Sequence, residues 1–176
     1  FVGNPVEFGR PANLAAGEAK EISLSAAEAK ELTIHRPRLW WPNGYGKPNL
    51  YRIRLQYLDA GGISDDTSFV FGIRTVGSAT TTLNGWVRRD FYVNGRRVHL
   101  VGGAWVPDMM LNRDSVRYDY ELHLCRNANV NLVRIWGGGI GETDDFYELA
   151  DRYGLMVWQD FWITGDTHGE FKGTPA

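Results

Sequence analysis

The sequence predicts a two-part chain of 176 residues: a piece of a β-sandwich over residues 1–77, then the first three strands of a (β/α)8 barrel over residues 78–176. Three observations carry this reading. Short alternating runs separated by turns fill the first part, with no helical period. Near residue 77 the rhythm changes to strand, helix, strand, helix, strand with short connections, as parallel βα units require. Three such strands with two helices are too few for a doubly wound domain. They fit the opening of an eight-fold barrel whose first and third strands are edges, so the sequence reads as a segment of a longer protein.

The elements follow in order. Glu21 to Ser25 and Glu31 to Ile34 alternate polar and apolar residues and predict strands. Ala26 to Ala29 favours helix, but the flanking alternation and Gly17 make strand–turn–strand the better reading. From Leu50 to Leu58, Leu50, Arg52, Arg54 and Gln56 alternate with Tyr51, Ile53, Leu55 and Tyr57, which predicts a two-faced strand. Asp59-Ala60-Gly61-Gly62 is a turn cluster, and Ser68 to Val76 predicts the returning strand of a hairpin. This gives about four strands, against roughly seven in a full sandwich. Ser78 to Gly85 is small, polar and Thr-rich, and reads as a connector. Asn94-Gly95 between Asp90–Val93 and Val98–Val101 is a strong hairpin signal.

The barrel strands are expected at Val98–Val101, Val130–Trp136 and Leu155–Trp158. The first helix is expected over Ser115–Asn127, with Tyr118, Leu122 and Cys125 at i, i+4 and i+7. The second, Thr143–Tyr153, buries Phe146, Leu149, Ala150 and Tyr153 on one face. Thr143 is its expected cap, Asp144 and Asp145 suit its positive end, and Gly154 terminates it.

Composition narrows the function classes. A net charge of −2 and no polybasic run argue against nucleic-acid or membrane-surface partners. The apolar stretches fall far short of the roughly 20 residues of a membrane span. Cys125 is the single cysteine, which excludes an intrachain disulfide and a cysteine-based metal site. Phe1-Val2-Gly3-Asn4-Pro5 is neither an initiator methionine nor a signal peptide. The 7 Trp, 8 Tyr and 8 Phe suit stacking on sugar C–H faces, although aromatics also fill cores.

In a parallel barrel, ligands bind where strands end. The three expected ends read Gly102-Gly103-Ala104-Trp105-Val106-Pro107-Asp108, Arg134-Ile135-Trp136-Gly137-Gly138-Gly139 and Trp158-Gln159-Asp160-Phe161-Trp162, each with a Trp beside charged and small residues. Gly137–Gly139 lacks the lysine ending and spacing of a phosphate loop. The histidines at 35, 99, 123 and 168 have no metal-ligand spacing; His168, near a strand end, is the one to watch. No Gly-x-Ser-x-Gly elbow occurs. Neither a metal nor a cofactor is expected.

Several of these segments resemble glycoside hydrolase family 2. Arg38-Leu39-Trp40-Trp41-Pro42-Asn43-Gly44-Tyr45-Gly46 and Pro48-Asn49-Leu50-Tyr51 resemble the family's middle, immunoglobulin-like sandwich. Phe71-Gly72-Ile73-Arg74 resembles its junction into the TIM barrel. Tyr92-Val93-Asn94-Gly95, Gly102 to Pro107, Asn131 to Gly139, Phe146-Tyr147 and Asp151 to Leu155 resemble the start of that barrel. Trp136 to Gly139 and Val157 to Phe161 look most like β-mannosidases, with exo-β-glucosaminidases next and β-galactosidases in the same family. The resemblance implies a retaining exo-glycosidase with a glutamate nucleophile and a glutamate acid/base about 5–5.5 Å apart. In that family they come from the fourth and seventh barrel strands, the acid/base after an asparagine. No Asn-Glu pair occurs here, so both are expected beyond Ala176, and Glu142, Glu148 and Glu170 are not assigned to either role.

The resemblance further implies that Arg134 sits under the nucleophile and keeps it ionised, and that Trp136 walls the terminal sugar subsite. The alternatives are an ordinary interior ion pair and packing. Trp105, Asp108, Asp160 and Trp162 are further substrate-binding candidates. Ala104 replaces a common asparagine, and Ile163 to His168 departs from the family's usual run. The expected partners are a β-linked oligosaccharide or glycoside and the remainder of the chain's own barrel. The alternative of another class is a non-catalytic carbohydrate-binding or structural module.

Overall fold

The computed structural model describes residues 5–108, 110 and 112–161. Within them lie eight strands in three sheets and two α-helices.

The first sheet is the hairpin β1 (Tyr51–Asp59) and β2 (Gly62–Phe71), turned at Ala60 and Gly61. Cross-strand partners share a face, so Tyr51, Ile53, Leu55 and Tyr57 line up with Phe71, Phe69, Thr67 and Asp65. Tyr51 and Phe71 stack at 5.7 Å. The opposite face carries the Arg54–Asp66 ion pair. The alternation read from the sequence thus holds, but β2 begins six residues before Ser68 and ends at Phe71, and Val76 opens the next strand.

Two strand expectations upstream fail. Glu21–Ser25 and Glu31–Ile34 pair with nothing among the described residues. Ser25 and Glu28 close a turn, with the Ser25 amide and hydroxyl both donating to Glu28 Oε2, and Lys30–Leu32 forms one turn of 3-10 helix. Alternation makes a strand only when a neighbour accepts its backbone bonds.

Ser78–Gly85 is not a connector. Val76–Leu83 is β3, paired along its length with β4 (Trp86–Val93) through a turn at Asn84-Gly85. Asn84 and Gly85 have φ of 51° and 80°, the geometry of a tight hairpin turn. Asn94 and Gly95 repeat it, at 52° and 76°, and lead into β5 (Arg96–Val98).

The third sheet is parallel, in the order β6 (Gly102–Trp105), β7 (Leu132–Ile135), β8 (Met156–Gln159). Val98–Val101 is therefore not its first strand; β6 starts at Gly102. Val98 belongs to the hairpin, and the buried Asn131 side chain holds the intervening backbone. It accepts from Val101 N–H (2.9 Å) and donates to His99 C=O (2.9 Å).

Helices α1 (Ser115–Asn127) and α2 (Asp144–Tyr153) match their predicted spans to within a residue and pack on one face of this sheet. The core between them holds Tyr118, Leu122, Val133, Ile135, Phe146, Leu149, Ala150 and Leu155. Asp114 caps α1 through Val116 N–H. Thr143 occupies the N-cap of α2 without a side-chain bond, its buried Oγ1 unpartnered, contrary to the expected cap. Gly154 ends α2 in the left-handed region, as expected.

One irregular segment joins the two halves. Trp40 is buried, its Nε1–H donates to Asp151 C=O (2.8 Å), and the Arg74 guanidinium lies 4.6 Å above its ring. Asn43 Nδ2 donates to Arg126 C=O (2.8 Å) and Val130 C=O (2.9 Å), and Asn43 N–H to Gly154 C=O (2.8 Å). The Arg126, Asp151 and Gly154 carbonyls sit at the C-terminal ends of α1 and α2, where intrahelical donors run out, and Val130 lies three residues past α1. Asn94 Nδ2 in turn donates to Trp40 C=O (2.8 Å), which ties the hairpin to the same seam. Arg74 also lies 3.6 Å from Asp151, whose carboxyl is pushed up by burial and drawn back by that cation.

Asn43→Ala removes two bonds to these carbonyls and is expected to lower unfolding free energy by about 2 kcal/mol, read by denaturant titration. Gly102→Ala places a Cβ 1.8 Å from the Leu132 carbonyl oxygen. That clash is expected to separate β6 from β7 at a cost of about 3 kcal/mol; an unchanged denaturation midpoint would contradict the close approach.

Candidate functional site

Side chains of a parallel sheet divide between two faces by their period of two. Along β7, Val133 and Ile135 are buried against the helices, while Arg134 and Trp136 are exposed on the other side. Register pairs Arg134 with Ala104 on β6 and Trp158 on β8, so these three form a row on the open face. The strand ends deliver this row to one rim, where ligands gather in such sheets.

Arg134 and Asp160 meet there. Arg134 Nε donates to Asp160 Oδ1 at 3.2 Å and Nη2 to Oδ2 at 2.6 Å, a bidentate fork. The Asp160 backbone is fixed as well, its N–H donating to Ile135 C=O (3.0 Å). The Arg134 hydrogen bond holds the Asp160 carboxyl below its usual range, helped by the Gly137 backbone and the Trp158 side chain, and Asp160 raises the Arg134 guanidinium in return. Half of the Arg134 side chain stays exposed, so the cation keeps donors free for another group. Trp136 is 40% exposed and folds over Gly138, where an added Cβ would stand 2.3 Å from the ring. Glycine at 138 is thus what lets the far edge of the indole come this close to its own loop.

Trp105 and Asp108 lie elsewhere. Trp105 shares its face with Ile135 and packs into the helical core, 4.9 Å from Phe146. Its Nε1–H donates to Glu142 Oε1 (2.9 Å). Asp108 pairs with Arg117 at the start of α1 and accepts from Met110 N–H. Both line a cleft with Arg113, Tyr118 and Glu142, apart from the Arg134–Asp160 pair. Trp162, His168 and the stretch from Ile163 lie outside the described residues.

Sequence reasoning named Glu142 only to leave it out of the catalytic pair and gave it no other role; its side chain is 1% exposed. It accepts from Trp105 and from the Tyr118 hydroxyl, with Arg113 Nε at 3.8 Å. Burial, then the Glu142 contact, raise the Tyr118 phenol well above its usual range, so it stays a neutral donor. The available signal was indirect: a half-buried indole such as Trp105 calls for an acceptor. Tyr147 and Gln159 were passed over too. The Tyr147 hydroxyl accepts from Glu142 N–H (3.3 Å) and donates to Gln159 Oε1 (3.0 Å). Among the described residues, no group of three or more His, Cys, Asp or Glu is placed to hold a metal ion, and no helix is long and apolar enough to cross a membrane.

This layout, a mainly β chain ending in a parallel sheet with an Arg–Asp fork and exposed indoles at one rim, fits a small-ligand site on an α/β scaffold. Residues 8–74 match the model of glycosyl hydrolases family 2. A mannosylglycoprotein endo-β-mannosidase from Lilium longiflorum is 42% identical over 82% of this chain and 15% of its own length. An exo-β-D-glucosaminidase from Streptomyces avermitilis is 34% identical over 95% of this chain and 18% of its own. A β-D-mannosidase structure from Dictyoglomus thermophilum superposes with a TM-score of 0.68 at 41% identity, over 74% of this chain and 16% of that one. The chain belongs to glycoside hydrolase family 2. It spans less than a fifth of the length of these relatives.

Removing the cation isolates its effect on Asp160. A depressed carboxylate contributes stability that is present above the unfolded-state pKa and lost as pH falls through the lower folded value. Arg134→Met is therefore expected to bring the Asp160 carboxyl back up toward the ordinary aspartate range and to remove that acid-side loss. Carbon-detected NMR titration of the side-chain carboxyl reads the shift; an unmoved Asp160 would break the assignment.

Proposed function

We propose that the protein containing this chain is a retaining exo-β-glycosidase that hydrolyses terminal β-mannosides. In this reading, residues 1–77 are the C-terminal part of an immunoglobulin-like β-sandwich and residues 78–176 the first three strands of a TIM barrel. The observation that carries it is the Arg134–Asp160 fork beside Trp136 on the open face of the parallel sheet. The likeness to mannosidases in sequence and in structure supports the sugar.

The chemistry follows from charge and shape. Asp160 orients Arg134 so that its free donors can hold the nucleophile carboxylate, and a cation at that distance favours the ionised form that attacks the anomeric carbon. Trp136 offers a flat apolar face to the sugar ring. The nucleophile and the acid/base belong to another part of the protein. The burial of Glu142 and its engagement by two donors support leaving it out of both roles.

A second reading, exo-β-glucosaminidase, is favoured by the alignment of the Streptomyces avermitilis relative over nearly the whole chain. The lily relative is named an endo-enzyme, so the position of cleavage enters the test. The full-length protein is expected to turn over an aryl β-mannoside faster than an aryl β-glucosaminide and to release single mannose residues from a chain end. Trp136→Ala is expected to lower kcat/KM by about tenfold or more. The 176-residue chain alone is expected to be inactive on both. Turnover by the pure chain, abolished by a substitution within it, would overturn the absence of the catalytic pair.

A further inference from the structure

The rim of the parallel sheet holds a directional run of hydrogen bonds. It starts at the buried Glu142, whose carboxylate is fixed by Trp105 from β6 and Tyr118 from α1. The Glu142 backbone N–H can only donate, and it donates to the Tyr147 hydroxyl oxygen at 3.3 Å. That leaves the phenolic proton to go outward, to Gln159 Oε1 at 3.0 Å. Receiving a proton at Oε1 fixes which way the Gln159 amide faces, and its Nε2 donates to Asp160 C=O at 3.0 Å. Asp160 is the residue that forks Arg134. One continuous path thus joins the loop after β7, the end of β8 and the ion pair, and the Tyr147 hydroxyl is the one atom through which it passes from loop to strand.

We infer that Tyr147 is a positioning residue for the sugar site: its hydroxyl transmits the fixed placement of Glu142 through Gln159 to the Arg134–Asp160 pair. This rests on the role proposed above for Arg134. The Tyr147 ring has a separate task, standing edge-on to Phe146 at 5.5 Å in the helical core. Phenylalanine keeps that packing and deletes the relay alone. Without the hydroxyl, Gln159 loses the partner that sets its orientation, and the Asp160 backbone loses its side-chain donor.

The test uses the full-length enzyme and four variants: Tyr147→Phe, Gln159→Leu, the two combined, and Arg134→Ala. Tyr147→Phe is expected to lower kcat about tenfold on an aryl β-glycoside while KM stays within about twofold, because misplacement acts on the attacking carboxylate rather than on ground-state binding. Gln159→Leu should match it, and the double variant should be no worse than either, since both interrupt one path. Additive losses, or an unchanged kcat in Tyr147→Phe, overturn the relay. So does a loss that disappears when the variant is assayed well below its melting temperature, which marks a stability effect alone. Arg134→Ala separates the two claims. If it collapses activity while Tyr147→Phe does not, the relay fails and the role of Arg134 stands; if Arg134→Ala is fully active, the underlying role of Arg134 fails.

Discussion

A helix that stops leaves carbonyls without partners, and this chain has two helices that stop beside each other against a segment from the other half of the molecule. Trp40 and Asn43 supply the donors. The indole N–H reaches Asp151 C=O, the Asn43 amide reaches Arg126 and Val130, and the Asn43 backbone reaches Gly154. Arg126 and Asp151 C=O each accept a backbone N–H as well, so the seam counts most at Val130 and Gly154, where a partly buried carbonyl left bare would carry a desolvation cost of about 1–3 kcal/mol. Satisfying several of them from one rigid stretch fixes where the helices lie, and the helices fix the sheet they cover. The orientation of β7, and so of Arg134 and Trp136, descends from that seam.

How far the sequence revealed this depends on whether a signal was local. Helices α1 and α2 were legible because their periodicity, and for α2 its ends, are written in neighbouring residues, Gly154 among them. The hairpin at Asn94-Gly95 was legible for the same reason. The identical dipeptide at Asn84-Gly85 was overlooked because the Thr-rich run before it resembles a connector, although Thr suits a strand exposed on both faces. Strand β6 was displaced by four residues for a different reason. Its sequence, Gly-Gly-Ala-Trp, is a poor strand by propensity. It forms because Gly102 can approach the Leu132 carbonyl where any side chain would collide. The segment before it is apolar but is held by the Asn131 side chain, a contact across 30 residues. The alternation at Glu21–Ile34 had no such partner among the described residues.

The site was legible as a set of strand-end residues, not as a geometry. Placing Arg134, Trp136 and Asp160 at strand ends required only the order of elements. That Arg134 and Asp160 form a fork, and that Trp105 turns toward the helices, depends on register: Trp105 pairs with Ile135 and Arg134 with Ala104. A shift of one residue would exchange their faces. Glu142 and Tyr147 left no pattern because their partners, Trp105, Tyr118 and Gln159, lie on other elements, at separations of 12 to 37 residues.

The seam also bears on how members of this family can trade parts. Residues 40 and 43 travel with the first half of the chain, whereas the carbonyls they serve, at 126, 130, 151 and 154, travel with the second. Carbonyls are identical in every residue, so the acceptors survive any exchange; what must be inherited together is their spacing. A chimera that keeps the lengths of both helices, the glycine at 154 and the Trp-Trp-Pro-Asn stretch retains a working joint even if most surface residues differ. One that lengthens either helix by a single residue rotates its last carbonyl by about 100° and unlatches the halves. Recombination in such a protein is limited by register along the helices more than by similarity of sequence.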